Sequence, residues 1–294
     1  MEIIKYLPCH QPFLSRLLLK TVSGEQQLGY PRLHSLGELE KEYAEYPDSS
    51  MASSVYILTH NADPVGVMGL LRDGSYSVLW GPVTLQSIYY KTAIRLSILF
   101  AKEIIPKEFH VFVHNLNIEY STELEKLGGK LRSIQHVMRF DWLKNMPTPL
   151  DFAYIAYLSS GQLAEFQNLL DDTINLLKEG FPQVDNTHDL MEELLSSKCN
   201  FELYIFNKRV LGVLIANENF ANEVRIEYLA VSKSHRRLGI ATKLLQYLLQ
   251  KVYETHGFCN VNLTHDNDNS IAHSVYLKNG FFDETIYKEF IISC

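Results

Sequence analysis

The fold is decided by the stretch Val224-Arg-Ile-Glu-Tyr-Leu-Ala-Val-Ser-Lys-Ser-His-Arg-Arg-Leu-Gly-Ile-Ala-Thr242. Its first eight residues are mostly apolar, which is typical of a strand in the middle of a sheet. The apolar residues after Thr242 recur at helical spacing and predict one buried helix face: Leu244, Leu245, Leu248, Leu249 and Val252. The residues between these two elements therefore carry the chain from a strand into the N-terminus of a helix.

This turn is suited to bind a pyrophosphate. The first turn of a helix offers unpaired N–H groups and the positive end of the helix dipole. Gly239 can adopt backbone angles that aim several N–H groups at one anion, and the small Ala241 leaves room for phosphates. His235, Arg236 and Arg237 add positive charge, and arginine can bind phosphate through two parallel hydrogen bonds. By itself, the pattern also fits an ordinary basic loop before a helix.

A second motif follows at Asn269-x-x-Ala-x-x-x-Tyr-x-x-x-Gly-Phe281, after a segment, Phe258 to Thr264, that is typical of a strand. Ala272 and Tyr276 are four residues apart and therefore share one helix face. Gly280 suits the position just after a helix C-terminus. Together the two motifs resemble the signature of the GNAT N-acetyltransferases, in which Arg/Gln-x-x-Gly-x-Gly/Ala precedes this second pattern.

The resemblance implies a domain that binds acetyl-CoA and transfers its acetyl group to a primary amine of a small molecule, peptide or protein. In this family the strand that matches Leu229-Ala230-Val231 separates from the next strand and binds the pantetheine arm through its main chain. The turn and the first helical residues hold the diphosphate. The residues that the resemblance assigns to acetyl-CoA are Leu229, Ala230, Val231, Arg236, Arg237, Leu238, Gly239, Ile240, Ala241, Thr242 and Asn269.

The same resemblance predicts two catalytic residues. Tyr276 matches the tyrosine beside the thioester sulfur, where a phenol can donate a proton to the leaving thiolate; packing between helix and sheet is its alternative role. Glu227 is the predicted base, since simple alternation places it on the same strand face as Leu229 and Val231. The family often has a bulge in this strand, which would reverse the alternation. Pairing with Arg225 is the alternative role of Glu227.

His265, Asp266 and Asp268 form a short polar cluster that invites a metal-site interpretation. Such runs after a strand usually form turns and helix caps, and acetyl transfer needs no metal. We therefore predict that the protein binds no metal. His265 lies close enough to the end of its strand to be a second, weaker candidate for the base.

The two halves of the chain show the same order of predicted elements. Gly212 follows Gly66 by 146 positions, and Gly280 follows Gly128 by 152. This near-constant spacing indicates a duplication. With the family resemblance of the second half, it implies an α/β (α+β) fold of two tandem GNAT-like domains, each a mixed, largely antiparallel sheet flanked by helices. The linker Lys144–Leu150 contains two prolines and separates a domain of residues 1–145 from a catalytic domain of residues 146–294.

The first half lacks the cofactor motifs. Gly81–Tyr90, the counterpart of the basic turn, has no Arg-x-x-Gly-x-Ala pattern and ends in bulky side chains. Tyr120 and Leu124 stand where Ala272 and Tyr276 do. The first half is thus predicted to be a degenerate GNAT-like domain with a structural role; an unrelated α/β domain is the alternative.

Bulk composition limits the remaining function classes. The formal net charge is −7 and no long basic run occurs, which argues against a nucleic-acid partner. No window approaches the roughly 18 consecutive apolar residues of a membrane span, and the four cysteines form no CxxC pair. We therefore expect a reduced, cytoplasmic protein, monomeric or homodimeric, whose partners are acetyl-CoA and an amine acceptor. The alternative function is a non-catalytic acyl-CoA-binding or regulatory protein.

Overall fold

The computed structural model describes residues 1–20, 35–74, 76–147, 153–182, 187–196, 199–220 and 223–294. The chain divides into two compact units: unit 1 contains residues 1–135 and 285–294, and unit 2 contains residues 136–284. The end of the predicted linker, residues 148–150, lies outside the described residues. Within the described part of the chain, none of the helices has the length and apolarity that crossing a membrane requires.

Unit 1 is a sheet with helices on both faces. Its strands are β1 (Glu2–Lys5), β2 (Val55–His60), β3 (Asp63–Asp73), β4 (Tyr76–Thr84) and β5 (Glu108–His114), and its helices are α1 (Gln11–Lys20), α2 (Leu36–Ala44), α3 (Met51–Ser54), α4 (Tyr90–Ile104) and α5 (Ile118–Lys126). The strands follow one another in this order, antiparallel up to β4 and parallel from β4 to β5. Leu70 and Leu71 are neighbours in β3 but lie in different cores, as residues on opposite faces must.

Unit 2 repeats this arrangement. Its strands are part of β6 (Lys130–Phe140), then β7 (Ile155–Ser159), β8 (Cys199–Phe206), β9 (Arg209–Phe220), β10 (Glu223–Val231), β11 (Asn260–Asp266) and the start of β12 (Phe281–Ser293); its helices are α6 (Ser160–Ala164), α7 (Gln167–Gly180), α8 (Thr187–Ser196), α9 (Ile240–His256) and α10 (Ser270–Lys278). The strand order is β12-β6-β11-β10-β9-β8-β7. The pair β10–β11 is parallel, while β9 is antiparallel to both of its neighbours. Each unit is therefore a mixed, largely antiparallel sheet flanked by helices, as predicted.

Helix α9 lies close against the sheet of unit 2. The predicted stripe, Leu244, Leu245, Leu248, Leu249 and Val252, is buried in one core together with Val224 and Ile226 of β10. Gly212 of β9 permits this approach, because a Cβ there would lie 2.6 Å from Ile240 and 3.2 Å from Leu244. The helix stripe is thus confirmed, and it fixes the N-terminus of α9 over β9 and β10.

The C-terminal strand belongs to both units. β12 starts in unit 2, and from Tyr287 to Ser293 it pairs antiparallel with β5 of unit 1. Phe290 and Ile292 lie fully buried in a core of unit 1. The predicted division at residues 145 and 146 places this segment in the second domain, whereas its contacts place residues 285–294 in unit 1. Strand pairing across more than 170 residues of chain (His110 with Ile291, for example) leaves no local sequence pattern.

Glu202 of β8 is a fully buried carboxyl group, and its two oxygens have no hydrogen-bond partner among the described residues. Burial raises its pKa well above the ordinary value of 4.5, although the charge of Lys251 opposes the shift. In the unfolded chain the group ionises near its ordinary pKa, whereas in the folded protein it stays protonated. The folded state therefore has its full stability at acidic pH and loses stability as the pH rises from that value toward the folded-state pKa.

We expect Glu202→Gln, which mimics the protonated carboxyl group, to raise the free energy of unfolding at pH 8, because the buried carboxyl no longer has to stay protonated against the solvent. Near pH 4 the variant and the wild type should differ little. Urea denaturation at both pH values measures the effect, with the exposed Glu192→Gln as a control that should show no pH-dependent difference. Equal stability of wild type and Glu202→Gln at pH 8 would contradict the raised pKa.

Candidate functional site

Strands β10 and β11 pair over only part of their length. Their parallel register runs from Glu223 and Asn260 to Ile226 and Leu263. Beyond Ile226, β10 continues to Val231 with β9 as its only strand partner among the described residues. Since both strands go on after their pairing has ended, a gap opens between them. The main chain from Leu229 to Val231 borders that gap.

A β-bulge marks the point where the two strands separate. Ile226 pairs with Ala216 of β9 and Tyr228 pairs with Ile215, so Glu227 is the extra residue. Before the bulge, the even-numbered Ile226 packs in the α9 core; after it, the odd-numbered Leu229 packs against that core instead. The faces have therefore exchanged, and simple alternation cannot assign a face to Glu227 itself.

Glu227 forms an ion pair with Arg225. Its Oε2 lies 3.5 Å from the Arg225 Nε, and its side chain is 27% exposed. The pairing foreseen as the alternative role is therefore present, and the carboxylate still reaches solvent beside the gap. A role as base stays a prediction.

The turn after β10 has the backbone geometry of an anion site. Gly239 is the N-cap of α9 with φ +79°, a value that favours glycine, and a Cβ at this residue would find open space. In the first backbone hydrogen bond of α9, the Lys243 N–H donates to the Gly239 carbonyl at 3.0 Å. The N–H groups from Ile240 to Thr242 precede that bond, so they are the orphan donors of a helix start.

The two arginines of the turn are exposed beside these donors. Arg236 donates from Nε to the Val231 carbonyl at 3.1 Å, which leaves the rest of its guanidinium in solvent. Arg237 has φ +64°, outside the usual range for a residue with a side chain. Leu238 is 65% exposed. Positive charge, a helix dipole and free N–H groups thus coincide at one accessible place next to the gap.

The second motif forms α10, the helix that follows β11. The Asn269 Oδ1 accepts from the Ala272 N–H at 3.1 Å and caps α10, so only its amide nitrogen is left for a ligand. Gly280 follows the helix with φ +90°, and a Cβ there would lie 2.7 Å from the Asn145 side chain and 2.8 Å from Phe140. Both conformation and space therefore require glycine at this position.

Tyr276 projects from α10 into the core of unit 2. Its ring lies 5.9 Å from the rings of both His265 and Phe281, and the residue is only 8% exposed. Burial raises the pKa of its phenol to about 12. The group is therefore protonated at neutral pH, as a proton donor must be.

His265 of β11 lies in a cluster that the sequence did not predict. Its Nε2 lies 3.0 Å from Nδ1 of His273, and His136 and Asp283 complete the group. Burial lowers the pKa of His265, and the neighbouring histidines add to the shift. Asp266 contributes only its main-chain carbonyl, at 2.8 Å from the His265 Nδ1. His136 is 129 residues away from His265 in the sequence, so no local motif joins them.

In unit 1 the corresponding gap is filled by tyrosines. β4 and β5 pair at Val78 and His110, but the buried Tyr120 hydroxyl donates to the Gly81 carbonyl of β4. The Asn117 amide nitrogen donates to the Tyr90 hydroxyl at 2.7 Å. The groups that would meet a cofactor arm are therefore used internally.

Comparison with known proteins supports the family resemblance and the fold. Residues 170–281 match the family model described as acetyltransferase (GNAT) family. A GCN5-related N-acetyltransferase from Sphaerobacter thermophilus is 14% identical with a TM-score of 0.75, over 99% of this chain and 95% of that one. A tandem GNAT protein from the clavulanic acid biosynthesis pathway is 12% identical with a TM-score of 0.65, over 99% and 98%. No curated protein matches the chain significantly.

The chain is thus a GNAT-type protein in fold over its whole length. The match to the acetyltransferase (GNAT) family model, residues 170–281, contains β10, the basic turn, α9 and α10. The match to the tandem GNAT protein extends over the first unit, which has the same fold but lacks the basic turn.

Proposed function

We propose that this protein is an N-acetyltransferase that binds one molecule of acetyl-CoA in unit 2 and transfers the acetyl group to a primary amine. The observation that carries this proposal is the separation of β10 from β11 at Ile226, next to the helix start at Gly239. An extended pantetheine arm can add to the free edge of β10 from Leu229 to Val231, with Ala230 between them, as a peptide adds to a sheet edge. The amide nitrogen of Asn269 faces no competing partner among the described residues and is a donor for the same arm.

The diphosphate would bind at the start of α9. The main-chain N–H groups from Leu238 to Thr242, which include Gly239, Ile240 and Ala241, supply neutral donors, and the helix dipole favours an anion there. Arg236 and Arg237 supply full positive charges from solvent-exposed positions. The free edge of β10 offers uncharged main-chain groups, whereas the helix start and the arginines offer positive potential. This arrangement fits a ligand with a diphosphate at one end of a long, polar but uncharged arm.

The reaction needs two proton transfers. The neutral amine attacks the thioester carbonyl, so that a C–N bond forms and the C–S bond breaks with CoA thiolate as leaving group. Tyr276, protonated because of its raised pKa, donates a proton to that thiolate. A free alkylamine is mainly protonated at neutral pH, and the proton leaves to Glu227 beside the gap, to His265, or to water.

Unit 1 is proposed to be a degenerate GNAT-like domain. A pantetheine arm would need a main-chain group of β4 and a side-chain amide, and both are already hydrogen-bonded. The Tyr120 hydroxyl donates to the Gly81 carbonyl, and the Asn117 amide nitrogen donates to the Tyr90 hydroxyl. No arginine corresponds to Arg236 in this unit. We therefore expect one cofactor site per chain.

A panel of primary amines incubated with acetyl-CoA tests the enzymatic role. We expect at least one amine to increase the release of CoA thiol at least about 100-fold above the rate without amine, the low end of what positioned acid–base groups contribute. Thiol release is followed with a colorimetric reagent, and mass spectrometry identifies the acetylated amine. Tight binding of acetyl-CoA without turnover on any amine would favour the non-catalytic acyl-CoA-binding alternative. No binding at all would refute both.

A further inference from the structure

Three histidines and one aspartate converge on one point of unit 2. They come from four elements: His136 from β6, His265 from β11, His273 from α10 and Asp283 from β12. The three imidazole rings form a nearly equilateral triangle, with centroids 5.0 Å, 5.1 Å and 5.1 Å apart. Taking one ligand atom from each of the four residues, all four atoms lie within 4.8 Å of one another.

The close contacts in this cluster are hydrogen bonds between atoms that can also bind a cation. Asp283 Oδ1 lies 2.9 Å from His136 Nδ1, and His265 Nε2 lies 3.0 Å from His273 Nδ1. In each contact one imidazole nitrogen carries the proton and donates it to the other atom. A divalent cation at the centre would replace these protons and neutralise all the acceptors at once.

The surrounding hydrogen bonds orient the histidines for such an ion. His265 Nδ1 lies 2.8 Å from the Asp266 carbonyl, which can only accept, so the proton sits on Nδ1 and the Nε2 lone pair points into the cluster. Asn267 Oδ1 lies 3.1 Å from Nε2 of His136, which leaves Nδ1 to face Asp283. Such outer hydrogen bonds, to a carbonyl or an amide oxygen, are the usual support of metal-bound histidines.

We propose that His136, His265, His273 and Asp283 form a binding site for a zinc ion. Three imidazoles and one carboxylate suit Zn²⁺, whose preferred geometry is tetrahedral with bonds of about 2.0–2.2 Å and hence ligand atoms roughly 3.3 Å apart. Closing from 4.8 Å or less to that spacing requires only small side-chain rotations. Asp283 and His273, 35% and 25% exposed, give the ion a path from solvent, whereas His265 is buried.

The role of this ion is to link distant parts of unit 2. It would join β6 to the segment 265–283, more than 120 residues later in the chain. The site needs neither acetyl-CoA nor an acceptor, so zinc binding is tested without acetyl transfer. An ion bound to His265 would leave Glu227 or water as the base of the proposed reaction. The proposed ion departs from the metal-free prediction, which was drawn from His265, Asp266 and Asp268; only His265 is common to the two sets.

Zinc titration of the untagged full chain tests the site. After dialysis against a chelator and then buffer, we expect calorimetry with ZnCl₂ to show one ion per chain, and the Tm to rise by roughly 5–10 °C at 100-fold excess over Kd. Co²⁺ in place of Zn²⁺ should give the intense visible absorption of a tetrahedral centre. His273→Gln and Asp283→Asn should each weaken Zn²⁺ binding at least about 100-fold.

His256→Gln is the matched control, since His256 ends α9 and lies beside Glu218, 3.5 Å away, outside the cluster. It should bind Zn²⁺ like the wild type. The Tm of each metal-free variant shows whether it folds. If His273→Gln does not fold, Asp283→Asn alone tests the loss of Zn²⁺ binding. Absence of stoichiometric binding in the wild type, or equal affinity in wild type and both cluster variants, would overturn the proposal. Loss of binding in His256→Gln would overturn it as well, by placing the ion elsewhere.

Discussion

Replacing Gly239 with glutamate is expected to weaken acetyl-CoA binding at least about 100-fold, or roughly 2.7 kcal/mol. The new side chain would start from the N-cap of α9, where a Cβ meets open space. Its carboxylate would therefore reach the donors and positive charges proposed for the diphosphate, and would both compete with the phosphates and repel them. The φ of +79° adds a smaller backbone cost.

Gly257→Glu is the matched control for this variant. Gly257 lies at the other end of the same helix with φ +68°, and a Cβ there also meets open space. It therefore carries the same added charge without lying near the proposed site, and its ψ of −138°, against 6° at Gly239, makes its backbone cost the larger of the two. Calorimetry with CoA and acetyl-CoA, together with circular dichroism, separates lost binding from lost fold. Equal affinity of the two glutamate variants, or two sites in the wild type, would refute the assignment of a single diphosphate site to this turn.

Removing one oxygen, in Tyr276→Phe, is expected to lower kcat about 100-fold, the low end of the range for general acid catalysis. The phenyl ring would keep the contacts with His265 and Phe281, so the Kd for acetyl-CoA and the Tm should change little. The phenol pKa of about 12 also implies that Tyr276 stays protonated through the neutral range. Loss of a proton from this residue should therefore not produce a decline in kcat below about pH 10.

Tyr253→Phe tests whether loss of any tyrosine hydroxyl matters. Tyr253 lies on α9 and is 37% exposed, so its variant should keep the wild-type kcat. The kcat and KM are measured with a primary amine found in the panel. If Tyr276→Phe retained full kcat, the residue would have only its packing role, and the thiolate would leave with a proton from water.

The fold of unit 2 could be predicted because its determinants are local in the chain. The strand, the basic turn and the apolar helix face lie within 29 residues, from Val224 to Val252, where periodicity predicts the elements and the motif carries the family resemblance. The roles of Gly239 and Gly280 could be predicted for the same reason, because each stands at a helix boundary where a positive φ is needed. The structure shows both in that conformation.

What the sequence did not reveal depends on register or on distance along the chain. The bulge at Glu227 results from how β10 pairs with β9, and the apolar pattern of β10 does not encode the extra residue. The triangle of histidines joins His136 to residues far away in sequence, so spacing gave no signal. Two side-chain hydrogen bonds also depend on the folded structure: Asn269 caps α10, and Arg236 donates to the Val231 carbonyl of β10. The sequence alone does not show which partner either side chain binds.

The shared strand β12 also has a consequence for biosynthesis. Residues 285–294 complete the sheet edge and the core of unit 1, yet they leave the ribosome only after all of unit 2 has been made. Until then, β5 exposes a row of unsatisfied main-chain groups, which is a template for pairing with another strand. A second nascent chain on the same messenger can offer its own β12 to that edge, and an intertwined dimer is then the competing product. Unit 1, although translated first, is therefore the last to be finished.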